Sequence, residues 1–151
     1  MKNGNRPTEN NPIVRVYLMF HCPLGTPAEA SLRSFVIDLS GEGQSFLKCN
    51  TFQGRGSSLH PPFFAFEIGF EQKTYDYDQL ISRIEGLFYS VKKSKKIIDN
   101  ILLSNDVRAT FVMNFNCQNS EQKPVFDLNN EQLKLLGDIG ASLSLDTYFE
   151  F

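Results

Sequence analysis

Apolar and polar residues alternate along several stretches of this chain, with the period of two that marks a strand carrying one buried face. Residues 13–22 set Val14, Val16, Leu18, Phe20 and Cys22 against Arg15, Tyr17 and His21. Residues 44–52, QSFLKCNTF, are strand-like, and in 63–71 Phe64, Phe66, Ile68 and Phe70 share a face; QGRGSSLHPP between them turns the chain, which predicts a hairpin with a loose loop. Residues 106–117 place Val107, Ala109, Phe111, Met113, Phe115 and Cys117 opposite Arg108, Thr110, Val112, Asn114 and Asn116. The closing stretch, ASLSLDTYFEF, alternates Leu143, Leu145, Thr147, Phe149 and Phe151 with Ser144, Asp146, Tyr148 and Glu150.

Three stretches follow the helical period instead. TPAEASLRSFVIDL has Thr26 as N-cap, Pro27 at the first helical position, and Ala28, Leu32, Phe35 and Val36 at helical spacing. Residues 75–105 carry one stripe, Leu80, Ile84, Leu87, Val91, Ile98 and Ile101, opened by Asp76 or Asp78. A straight helix of that length would run about 40 Å, so a bend near KKSKK is expected. DLNNEQLKLLGDIG begins with a capping box, Asn129 and Gln132, and ends at Gly140, suited to a left-handed cap.

The order is β-α-β-β-α-β-α-β, an α+β domain with a mainly antiparallel sheet of about five strands and helices packed on one face. Residues 1–12 are polar and aperiodic and read as a disordered leader; 13–151 form the single domain. A closing strand is held in order by pairing in the sheet. At an edge it can also pair with a partner's strand, which admits a homodimer.

Composition changes this picture little. Apolar residues make up 41% and charged residues 21% of 151, an ordinary balance, but 14 Phe and no Trp assign the filling of the core to phenylalanine. A net charge of -2 supplies no field that draws the chain onto nucleic acid or an acidic membrane. The apolar runs are too short to span a bilayer and the first residues lack a signal-peptide h-region, so a cytoplasmic protein is expected. Three widely spaced cysteines, Cys22, Cys49 and Cys117, argue for free thiols and against a disulfide framework.

Candidate chemistry is sparse, and no cofactor is implied. A Cys-His pair requires His21 or His60; Cys22 follows His21 directly and points to the other face, which leaves Cys49 with His60 across the hairpin. A zinc site from His21, His60 and a cysteine lacks the short ligand spacings. GRGS at 54–57 lacks the strand-turn-helix setting of a phosphate loop, and Lys92, Lys93, Lys95 and Lys96 read as a solvated helix face. Asp146 with Glu150, and Glu67 with Glu71, are each about 13 Å apart along a strand. A glycosidase pair needs about 5 to 9.5 Å. As a surface, Ser144, Asp146, Tyr148 and Glu150 gather two acids around a tyrosine, a composition that can meet a basic groove.

Four segments together, VRVYLMF, the long helix, DVRATFVMNF and LNNEQLKLLGDIGASLSLDTYFEF, resemble the bacterial family called domain of unknown function 4279. Leu133, Leu136, Gly140, Ser142, Leu143, Leu145 and Asp146 sit along its L-x-x-L-x-x-L-G helix and following S-L-D-x-x-Y strand, with Tyr148 one position before the motif's tyrosine. The first half departs from it: SFLKCNTFQGRG replaces the usual L-G-L and P-T, and PFFAFEIGF lacks the usual Trp. Proteins of this shape resemble single-domain immunity proteins, so the resemblance implies a non-catalytic binder of a cognate toxin domain, such as a nuclease. Asp146, Tyr148, Glu150 and Ser144 would then anchor the partner, joined by Glu67 and Glu71 if their strand lies nearby. The alternative is a small-ligand module with its pocket between sheet and helices.

Overall fold

A computed structural model of the protein describes residues 14–40, 46–73, 76–103, 106–117 and 127–149, the side chains of 36–40, 117 and 147–149 excepted. The expected leader and Glu150 lie outside these residues. The elements run β1 (Val14–Pro23), α1 (Pro27–Ser40), β2 (Lys48–Gly54), β3 (Phe63–Gln72), α2 (Tyr77–Lys93), α3 (Lys95–Leu102), β4 (Arg108–Cys117), α4 (Asn130–Asp138) and β5 (Ser142–Phe149). This is the α+β order expected from the periodicity.

The strands form one sheet in the order β2-β3-β1-β4-β5. The pairs β2–β3, β3–β1 and β1–β4 are antiparallel, whereas β4 and β5 are parallel, because α4 carries the chain back to the end of the sheet where β4 began. Since side chains alternate, one register determines both faces. Val14, Val16, Leu18, Phe20 and Cys22 of β1 and Phe64, Phe66, Ile68 and Phe70 of β3 are buried with Leu32 and Phe35 of α1, Leu80, Ile84 and Leu87 of α2, Ile98 and Ile101 of α3, and Leu135 and Leu136 of α4.

Phenylalanine fills this core as expected. Phe35 sets its edge against both Phe20 and Phe66, at 5.6 and 5.7 Å between ring centroids, and Phe88 leans on Phe111 at 5.3 Å. Edge-to-face pairs of this kind add about 0.5–1.5 kcal/mol each beyond the area they bury.

The helix ends follow local chemistry. Asp76 accepts the Gln79 N–H at 3.0 Å. At α4, Asn129 Oδ1 accepts the Gln132 N–H at 2.9 Å while Gln132 Oε1 accepts the Asn129 N–H at 3.0 Å, so both halves of the capping box are made. Gly140, at φ 65°, closes the helix: its N–H donates to Gly137 and the Ala141 N–H donates to Leu136. Thr26 behaves differently from the expected cap, because its hydroxyl donates back to the Pro23 carbonyl at 2.9 Å.

The expected bend falls at Ser94, which separates α2 from α3 and whose N–H is shared between the Ser90 and Val91 carbonyls at 3.2 Å each. Unbroken, residues 77–102 would run about 39 Å, longer than the roughly 33 Å of a ten-residue strand. The break lets Ile98 and Ile101 return to the core.

Candidate binding surface

The sheet face away from the helices is polar and is organised in rows across the strands. One row reads Glu71, Arg15, Asn114, Asp146 from β3 through β1 and β4 to β5. The next reads Lys48, Gly69, Tyr17, Val112, Ser144 from β2 to β5, and a third reads Asn50, Glu67, Met19, Thr110, Ser142.

Arg15 is the hub of the first row. Its Nε is 3.1 Å from Glu71 Oε1, without the N–H alignment of a hydrogen bond, and its Nη2 is 4.0 Å from Glu67 Oε1. Asn50 Nδ2 donates to that same Glu67 oxygen at 3.3 Å. The guanidinium carbon stands 5.5 Å from the centre of the Tyr17 ring. Burial, reinforced by the negative charge of Glu67, raises the Tyr17 hydroxyl above the ordinary tyrosine value, so it remains a neutral donor. The side-chain oxygens of Asn114 and Asn116 are buried without a hydrogen-bond partner.

Tyr17 can lie across the sheet because its cross-strand partner is glycine. A Cβ at Gly69 would stand 2.5 Å from both the Tyr17 Cα and Cβ, so no side chain fits between the strands there.

The structure places the expected anchor residues as follows. Asp146 is exposed on β5, opposite Asn114, and makes no ion pair among the described residues; Ser144 is half-buried opposite Val112. Tyr148 is paired through its backbone with Asn116, its side chain being outside the description, as is Glu150. Glu67 and Glu71 share the same sheet face, but β1 and β4 stand between β3 and β5, so the two sets are about 14 Å apart at 4.8 Å per strand. They form one surface rather than one cluster. Arg15, Tyr17 and Asn114 fill the gap. The alternation of their strands marked each as outward-facing, yet only the strand order shows that they bridge the acids.

The other face of β5 is unusual. Leu143 and Leu145 point to the helix side, yet remain 58% and 49% exposed. Among the described residues β5 is also an edge, pairing with β4 alone, and its eight residues include no Lys, Pro or Gly. The opposite edge, β2, carries Lys48, Asn50, Thr51 and Gln53. A lysine on an edge discourages strand addition, whereas the one charged residue among the eight of β5 is Asp146.

The remaining candidates are not assembled. His21 and Cys22 face opposite sides of β1. Cys49 pairs with Ile68, five residues or about 17 Å along the strand from Gly54, while His60 lies in the loop beyond Gly54. The hairpin register thus sets Cys49 well along β2 from the loop that carries His60, and burial raises the Cys49 thiol. In the loop after Gly54, Ser57 N–H donates to the His60 carbonyl and the Ser57 hydroxyl accepts from Leu59 and His60, so these groups serve the turn. Of the lysines, Lys95 pairs with Asp99 at 2.8 Å. Among the described residues no three His, Cys, Asp or Glu side chains lie together as metal ligands. Between sheet and helices, the recess at Leu18, Leu87, Val91, Phe111 and Leu136 is too tight to admit a water molecule. No described helix is long and apolar enough to cross a membrane.

The sequence profile of the family described as Domain of unknown function (DUF4279) matches residues 55–150, more than half of the chain. The chain belongs to this family. The matched stretch runs from the β2–β3 loop through β5, and so includes the capping box, the Gly140 turn and the last strand. It begins later than the resemblance, whose first segment is VRVYLMF; β1, α1 and β2 lie before it. No curated protein and no solved structure gives a significant match.

Proposed function

We propose that this protein is a cytoplasmic bacterial immunity-type protein, which neutralises a cognate toxin domain by stoichiometric binding, without turnover and without a cofactor. One observation carries the reading: β5 is a sheet edge that combines exposed Leu143 and Leu145 on one side with Ser144 and Asp146 on the other. Exposed backbone donors and acceptors flanked by leucines suit a protein partner, which can extend the sheet or cover the edge. A small ligand uses a closed pocket instead. Asp146, with Tyr148 and Glu150 following at the same spacing, supplies negative charge beside that edge, and Glu71 and Glu67 extend it across the open face around Arg15.

A basic partner, such as the phosphate-binding groove of a nuclease, is the complementary surface. The test is co-expression with the toxin-domain product of the adjacent upstream gene. The reading requires that the two co-purify in a fixed ratio and that this protein protects cells from the toxin domain. Failure of both, with each protein folded, removes it. Self-association through β5 would appear in the same experiment as a dimer that the toxin domain displaces.

A further inference from the structure

At the end of the open face remote from Asp146, four polar side chains meet at one corner. His21 of β1 and Arg108 of β4 are direct cross-strand partners. Thr110 lies two residues along β4 on the same face, and Ser142 opens β5 opposite Thr110. They border a recess of about 320 Å³ between the end of α3, the start of β4 and the α4–β5 turn. The other described lining residues are aliphatic or glycine, and none is acidic.

Asp106, two residues before Arg108, is the nearest acid along the chain and acts on the Cys22 thiol behind His21, but it does not line the recess. Arg108 is exposed and makes no ion pair among the described residues, in a chain whose net charge is negative. His21 faces Arg108 on β4, uncharged Ala65 on β3 and the Phe63 ring, which it meets edge to face at 6.3 Å between centroids. Its burial and the Arg108 charge hold the imidazole below its ordinary value.

We propose that this recess binds the phosphate group of a small phosphomonoester. A planar carboxylate is satisfied by the Arg108 fork alone. A tetrahedral dianion offers further acceptor oxygens for the Thr110 and Ser142 hydroxyls and an imidazole N–H. The volume is at the lower end of small-molecule sites, so it admits a short organic remainder, which would lie against the aliphatic wall. This site lies at the far end of the sheet from Asp146, and its fate does not depend on the toxin-binding reading.

The protein holds two histidines, and His60, exposed in the β2–β3 loop, is an internal control. Imidazole resonances are titrated by NMR with inorganic phosphate and with glycerol 3-phosphate, against succinate and sodium chloride at equal ionic strength. Phosphate binding raises the His21 pKa saturably by about one unit, equivalent to tenfold tighter binding to the protonated form, and leaves His60 unmoved. Arg108→Gln weakens the phosphate response about tenfold or more. Ser142 is exposed, so Ser142→Ala is a second variant that leaves the core intact, with a several-fold loss expected. The proposal is overturned if His21 shows no saturable response at millimolar phosphate, if succinate or chloride produces the same shift, or if both folded variants respond as the parent does.

Discussion

Replacing Leu143 and Leu145 together by serine separates a docking role for β5 from a packing role. Each leucine keeps about half of its surface in water, at 58% and 49% exposure. Full burial of a leucine is worth about 1.5–3 kcal/mol, so covering the remaining half contributes about 1 kcal/mol per residue, or about 2 kcal/mol for the pair. If a partner covers both, its Kd rises about 30-fold in the double variant, since each 1.4 kcal/mol is tenfold. The half already buried is lost to the fold instead, a cost of about 2 kcal/mol and a fall in Tm of roughly 4–8 °C. Leu136→Ala provides the contrast: that side chain is 6% exposed, so about 2–5 kcal/mol of stability is lost. Urea unfolding followed by circular dichroism reads the stability, and isothermal titration with the toxin domain reads the affinity. An unchanged Kd for a folded double variant would refute the assignment of the β5 edge as the docking site.

Three further outcomes rest on the packing alone. Gly69→Ala forces a methyl group against the Tyr17 backbone and costs about 1–3 kcal/mol, read as a lower urea midpoint; a neutral result would mean that the Tyr17–Gly69 contact is slack. Asn129→Ala removes the acceptor of the Gln132 N–H and costs about 1 kcal/mol, with faster amide exchange confined to the first turn of α4; global loss of protection would contradict a local cap. His21 has a folded-state pKa below its ordinary 6.5, so the unfolded chain takes up its proton first and stability falls as pH drops from about 6.5 through the folded value. His21→Leu should flatten Tm between pH 7 and 5 relative to the parent, and an identical pH profile would show that His21 contributes nothing there.

Alternation and helical spacing were enough to place the five strands, the three helical stretches with the bend in the second, and the order in which they occur. The reason is physical: a half-buried strand and a one-sided helix write their burial directly into the spacing of apolar residues. The caps were equally legible, because Asp76, Asn129, Gln132 and Gly140 act on backbone groups within a few residues of themselves. Thr26 escaped that reading because a hydroxyl donates as well as accepts, and the Pro23 carbonyl was within its reach. Cys49 and His60 were compatible in sequence, but the hairpin register sets Cys49 five residues along β2 from the loop that holds His60.

What the chain order cannot express is which strand lies beside which. Glu67, Arg15, Asn114 and Asp146 come from four separate segments, and their common face was evident only from local alternation. Long-range pairing decided that β1 and β4 separate the two acidic groups, that β5 ends as an exposed edge, and that His21, Arg108, Thr110 and Ser142 share a corner. The local pattern determines which way a side chain points, because that depends on neighbouring dihedrals. Its neighbours across the sheet depend on contacts between residues distant along the chain, and only the folded sheet supplies those.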